Sequence, residues 1–225
     1  MPDYQEIEIK FALDDPAAVR SQLHQLGAVP QGRHYENNLR LDDANHTLAS
    51  KHVVLRLRRI EAPDGSCARL TVKSPATSSD GSLSVRNEAE TEIGDGAAML
   101  KALELLGYTP YWRYEKRRET FAWNEVEAVI DELPMGWFLE IEGSPEGIRA
   151  LAEKLGFDMA DGITASYARI FEEVCRMLKI AATDLTFDAF NKDITIDPQI
   201  YQRMTRNSSG IGDKNVGPLS HASSL

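Results

Sequence analysis

The sequence predicts an α+β protein: a closed, eight-stranded antiparallel β-barrel with helices packed on its outside. Short segments that alternate apolar and charged residues recur along the chain, which is typical of strands. Their charged positions often carry one sign, which is unfavourable on an open, solvated face. Segments with helix-capping residues separate these strands and supply apolar surface for their other faces. About eight strands closing on themselves leave room for side chains or one small ligand.

The strand segments can be identified one by one. The chain opens on Glu6-Ile7-Glu8-Ile9-Lys10, and seven further segments alternate in a similar way: residues 33–43, 52–61, 67–74, 84–93, 113–123, 125–133 and 137–143. Side chains two residues apart share a face of a strand. Like charges therefore pair up within single strands: Glu6 with Glu8, Arg56 with Arg58, Glu88 with Glu90, Lys116 with Arg118, and Glu140 with Glu142.

Four helices are predicted between and after the strands, at residues 14–27, 94–107, 144–156 and 164–180. The first and third have proline in the first turn, and the first three end on glycine.

The two halves of the chain share a faint sequence repeat. Residues 26–30 and 106–110 both read Leu-Gly-x-x-Pro, each after an acidic strand and a helix, and each is followed by Arg and Tyr-Glu. This indicates two related halves around one cavity.

Length and composition suit one domain with an appendage. We place the domain at residues 1–180 and a poorly ordered C-terminal extension at 181–225, because the chain becomes polar after about residue 190. The net charge of -10 disfavours nucleic acid and anionic membranes as partners. The two cysteines have no CxxC spacing, and no long apolar run or signal peptide is evident. These features predict a cytoplasmic protein; a homodimer is left open.

The repeated like charges predict that the ionic faces look into the barrel. The opposite faces carry residues such as Ile9, Leu57 and Ile141, which need apolar partners that the helices can supply. Buried charges require partners. The cations would suit a multiply charged anion, and the carboxylates would suit Mg²⁺ or Mn²⁺. A polyphosphate with a divalent metal satisfies both sets.

These motifs, in this order, resemble the CYTH superfamily, also called triphosphate tunnel metalloenzymes. The resemblance covers roughly residues 4 to 178 and implies a barrel that binds triphosphate with a divalent metal, Mg²⁺ or Mn²⁺. The implied triphosphate-binding residues are Lys10, Arg56, Arg58, Lys73, Arg86, Lys116 and Arg118. The implied metal ligands are Glu6, Glu8, Glu88, Glu90, Asp131, Glu140 and Glu142. Lys116 is the implied catalytic residue, which would activate the attacking water.

Three functions remain open. Water as the nucleophile gives a metal-dependent triphosphatase, which we favour. Attack by the ribose 3′-hydroxyl of ATP gives a class IV adenylate cyclase that releases cyclic AMP and pyrophosphate. Binding without turnover gives a polyphosphate-binding protein. The motif residues are compatible with both reactions, and no adenine pocket is evident in the sequence.

Overall fold

The computed structural model describes residues 5–76, 81–190 and 200–201. Its strands form one closed antiparallel barrel. The strands are β1 (Gln5–Leu13), β2 (Val29–Asp42), β3 (Val54–Ala62), β4 (Gly65–Pro75), β5 (Ser84–Ile93), β6 (Thr109–Trp123), β7 (Val126–Leu133) and β8 (Gly136–Glu142). Their order around the barrel is β1-β5-β4-β3-β2-β6-β7-β8. The predicted fold class is confirmed.

The helices are α1 (Pro16–Gln25), α2 (Thr47–Ser50), α3 (Gly96–Leu105), α4 (Pro145–Leu155) and α5 (Tyr167–Leu178), with a 3-10 turn at Met159–Asp161. Asp15, Asp95 and Ser144 cap α1, α3 and α4 by accepting backbone N–H groups. The four long helices were predicted. The one-turn helix α2 and the 3-10 turn were not, because such short elements leave no periodic pattern.

The core lies between the outer faces of the strands and the helices. Helices α1 and α4 pack on a cluster that includes Ile9, Phe11 and Ile141, and α3 packs on Leu55 and Leu57. A third cluster surrounds α5. The apolar strand residues therefore face outward and the ionic residues face inward, as the alternation predicts. Within the described residues, no helix is long and apolar enough to cross a bilayer.

The chain after α5 also packs on the barrel. On its β7 side, strand β6 is paired only from Arg117 onward, so the backbone groups that precede Arg117 need other partners. Leu185 supplies them: its N–H donates to the Arg113 carbonyl, and its carbonyl accepts from the Glu115 N–H. Leu185 and Phe190 are buried. Residues 181–190, which we expected in a poorly ordered extension, thus contact the barrel; of the remainder, only 200–201 lie among the described residues.

Candidate functional site

The barrel encloses a cavity of about 850 Å³ lined mainly by ionic side chains. The predicted site residues that line it are Lys10, Arg56, Arg58, Lys73, Arg86, Lys116, Arg118, Glu6, Glu8, Glu88, Glu90, Glu140 and Glu142. Arg40, Arg69, Glu127 and Arg169 line it as well. The structure therefore brings all the predicted site residues except Asp131 to one surface.

The lining charges are segregated around the barrel. The neighbouring strands β4, β3, β2 and β6 form a cationic arc, whose lining members are Arg69, Lys73, Arg56, Arg58, Arg40, Lys116 and Arg118. The other four neighbours, β7, β8, β1 and β5, form an anionic arc, whose lining members are Glu127, Glu140, Glu142, Glu6, Glu8, Glu88 and Glu90. Lys10 and Arg86 are the cations on that side. One lumen thus presents a surface for an anion opposite a surface for a cation.

Asp131 lies behind the lining and orients two cations. Arg118 donates to its two oxygens at 2.8 and 2.6 Å, and Lys116 Nζ donates at 3.0 Å. The Tyr167 hydroxyl donates to Oδ2 at 3.0 Å. Asp131 is fully buried. The metal-ligand role that the family resemblance implies for it would require displacing these donors, whereas its observed contacts are those of a positioning residue.

Other lining cations are also paired with carboxylates. Lys10 contacts Glu8 and lies 3.5 Å from Glu140. Burial opposes the charged form of Lys10, but these carboxylates raise its pKa. Likewise, burial opposes the ionised form of Glu140, yet Arg118 and Lys10 hold its pKa well below the usual range. These pairs stabilise the charged forms of Lys10 and Glu140.

Strands β1 and β5 supply a second set of pairs. Lys73 Nζ lies 2.6 Å from a Glu6 oxygen and 2.9 Å from Glu88. Arg56 lies 3.4 Å from Glu90, which also accepts from the Thr71 hydroxyl. Arg86 donates to the backbone carbonyl of His52 at 2.5 Å. The predicted acidic strand β5 therefore holds cations of β3 and β4 in place.

The anionic arc contains a row of like charges that suits a metal cation. Glu8 of β1 and Glu127 of β7 are both directly opposite Glu142 of β8. Burial, reinforced by Glu6, Glu8 and Glu127, raises the pKa of Glu142 to about 8. All-carboxylate donors are those that Mg²⁺ and Mn²⁺ prefer, so the donor set fits such an ion. Among the described residues, no three acidic, histidine or cysteine side chains already converge on one point.

Several groups that build the site were not predicted from the sequence. Glu36 is fully buried and lies 3.2 Å from Arg58 and 3.6 Å from Lys116. Asn38 accepts from Arg58 Nε at 2.8 Å. Arg40 lines the cavity on the same strand. The signal was present in the two-residue spacing of His34, Glu36, Asn38 and Arg40 within the 33–43 segment.

By its fold and its site, the chain is a closed antiparallel barrel protein with a charged lumen, in which a cationic arc faces an anionic arc. The family profile of the CYTH domain matches residues 4–167, and the chain belongs to this family.

Relatives agree with this membership. "Putative adenylate cyclase MJ0240" of Methanocaldococcus jannaschii is 29% identical over 140 residues, which are 62% of this chain and 77% of the relative. A structure from Vibrio parahaemolyticus, described as a candidate adenylate cyclase, has a TM-score of 0.66 at 23% identity and covers 74% of this chain and 97% of its own. The PH1819 protein of Pyrococcus horikoshii has a TM-score of 0.64 at 21% identity and covers 75% of this chain and 99% of its own. The two structural likenesses extend the agreement to the fold.

Proposed function

We propose that this protein is a divalent-metal-dependent phosphohydrolase that acts on triphosphate substrates bound inside the barrel. The observation that carries the proposal is the segregation of the lining charges. A triphosphate is a multiply charged anion that binds divalent metals, so it can lie against the cationic arc while its metal lies against the anionic arc. Neither arc alone would select this pair of ligands.

The cationic arc would bind and orient the phosphates. Arginine offers bidentate donors to phosphate oxygens, and lysine offers a compact charge. Lys116 is the proposed catalytic residue. Its Nζ is held by Asp131 at 3.0 Å and lies 5.6 Å from the centre of the Tyr167 ring. From this fixed position it can hold an attacking water by a hydrogen bond and stabilise charge that develops on the phosphoryl oxygens.

The anionic arc would hold Mg²⁺ or Mn²⁺, with Glu8, Glu142 and Glu6 as the proposed central ligands and Glu88, Glu90 and Glu140 beside them. A bound divalent cation neutralises phosphate oxygens and lowers the pKa of a coordinated water. The chain itself contributes several neighbouring carboxylates, and a bound cation would relieve the repulsion between them. Lys10 and Lys73, which now pair with this arc, would then be released toward phosphate.

Adenylate cyclase is the second candidate, because the name of the M. jannaschii relative points to it. Cyclisation needs a bound base and a ribose 3′-hydroxyl aligned with the α-phosphate, whereas hydrolysis needs only a triphosphate and water. Ionic groups are the most numerous in the lining and suit a triphosphate, which favours the smaller requirement. A polyphosphate-binding protein without turnover is the third candidate.

We also propose that the protein acts in the cytoplasm on small molecules rather than on nucleic acid or membranes. A homodimer is compatible with this function.

Product identification tests the proposal. Purified protein is incubated with Mg²⁺ or Mn²⁺ and with tripolyphosphate or ATP, and orthophosphate and cyclic AMP are quantified. We expect metal-dependent orthophosphate release that K116M abolishes and that R33Q, a change at an exposed position of β2, leaves intact. Cyclic AMP and pyrophosphate from ATP would replace this proposal with the cyclase. Tight triphosphate binding with neither product would replace it with the binding protein.

A further inference from the structure

Three lining side chains stand in one row across neighbouring strands of the cationic arc. Trp112 of β6 is directly opposite Arg40 of β2, and Arg40 is directly opposite Arg56 of β3. All three line the cavity. Each has a buried N–H group without an acceptor in the described part of the chain: Trp112 Nε1, Arg40 Nε and Arg56 Nε. Buried donors normally have partners, so three in one row require an explanation.

Arg40 differs from the lining cations that pair with carboxylates. Lys10, Lys73 and Arg118 each contact a carboxylate, whereas Arg40 makes no ion pair with any residue that the structure describes. Its guanidinium instead lies over the rings of Tyr111 and Trp112, 5.7 and 5.9 Å from their centroids. Such contacts hold a guanidinium in place through its face and leave its N–H groups available.

Packing also fixes Trp112. Its ring stacks on Tyr114 with centroids 4.7 Å apart and lies 6.0 Å from the Phe171 ring of α5. Only 4% of Trp112 is exposed. The indole N–H is therefore held on the lining with no acceptor among the described residues, which is the arrangement of a preformed binding group rather than of a surface residue.

We propose that Trp112, Arg40 and Arg56 form a subsite for one phosphoryl group of the substrate, and that Arg40 and Trp112 determine specificity for an anionic group there. The row offers three N–H donors and, at Arg40, a guanidinium without an ion pair among the described residues, which match the oxygens and charge of a phosphoryl group. An uncharged base would accept hydrogen bonds without neutralising the Arg40 guanidinium. The subsite rests on the proposed function, since a triphosphate must first enter the lumen.

Calorimetric titration tests the subsite. Wild type, W112F and R40Q are titrated with tripolyphosphate and, separately, with ATP, once in EDTA and once with Ca²⁺. W112F keeps the stacked ring and removes only the N–H donor. We expect each variant to lose about tenfold in affinity for tripolyphosphate, because each removes a hydrogen bond to a charged acceptor. The matched controls W123F and R33Q should bind like wild type, since Trp123 donates to the Leu26 carbonyl and Arg33 pairs with Glu132.

The possible outcomes separate the subsite from the proposed function. Wild-type affinity in both W112F and R40Q would overturn the subsite and leave the function standing. A loss confined to ATP would overturn it too, because the row would then hold the organic part. Failure of wild type to bind tripolyphosphate would overturn both. As an independent readout, the Trp112 indole N–H resonance, identified by its absence in W112F, should move downfield on adding tripolyphosphate; an unmoved resonance would contradict the proposal.

Discussion

Replacing Glu142 with glutamine tests whether repulsion among the carboxylates of the anionic arc destabilises the folded protein. Burial and the neighbouring carboxylates raise the pKa of Glu142 from its usual 4.5 to about 8. At pH values between 4.5 and about 8, the Glu142 carboxyl is ionised in the unfolded chain but still protonated in the folded protein. The stability of the metal-free wild type therefore falls as pH rises through this window. The shift corresponds to at most about 5 kcal/mol. Because the side chain is partly exposed and screened by solvent, we expect roughly 2 kcal/mol.

The assay is urea unfolding followed by circular dichroism in EDTA at pH 5 and pH 8. Glutamine cannot ionise, so E142Q should match wild type at pH 5 and exceed it by roughly 2 kcal/mol at pH 8. E61Q is the control: Glu61 forms an exposed pair with Arg59, so it should show no such gain. Adding Mn²⁺ should stabilise wild type more than E142Q. Equal or lower stability of E142Q at pH 8 would refute the reasoning.

D131N removes the carboxylate that Lys116 and Arg118 share and leaves them Glu36 and Glu140 as ion-pair partners among the described residues, which should cost about 3–5 kcal/mol; thermal unfolding should show partial recovery with tripolyphosphate, and a midpoint equal to that of wild type would contradict the pairing. F11A removes a fully buried ring and should cost about 3–5 kcal/mol in urea unfolding; a loss under 1 kcal/mol would place the ring outside the core. R59Q removes an exposed pair and should change stability by less than about 1 kcal/mol without changing triphosphate turnover; a larger effect on either would contradict the outward direction of Arg59.

Local patterns were enough to predict the strands of the barrel and which side chains of each strand share its inner face. Alternation at Glu6, Glu8 and Lys10, and at Arg56 and Arg58, fixes which side chains share a face, because the pleat places every second residue on one side. The outward packing of Ile9 and Ile141 followed from the same periodicity. Helix caps and terminal glycines predicted α1, α3 and α4.

The segregation of charges could not be predicted from the sequence. It arises because β1 pairs with β5, and β2 with β6, which are partners distant in sequence. The same pairing places Trp112 beside Arg40. The position of Asp131 behind the lining also depends on tertiary packing, since Tyr167 of α5 closes over it. Residues 181–190 carry no pattern that predicts docking, and the unpaired edge of β6 explains why they dock.

Anomalous diffraction from crystals grown with Mn²⁺ and tripolyphosphate would show directly whether metal and phosphate bind in the lumen. We expect a manganese peak inside the barrel against Glu8 and Glu142, with phosphate density against Arg56, Arg58 and Arg118. Manganese and phosphate bound only on the outer surface, with the lumen holding neither, would contradict it.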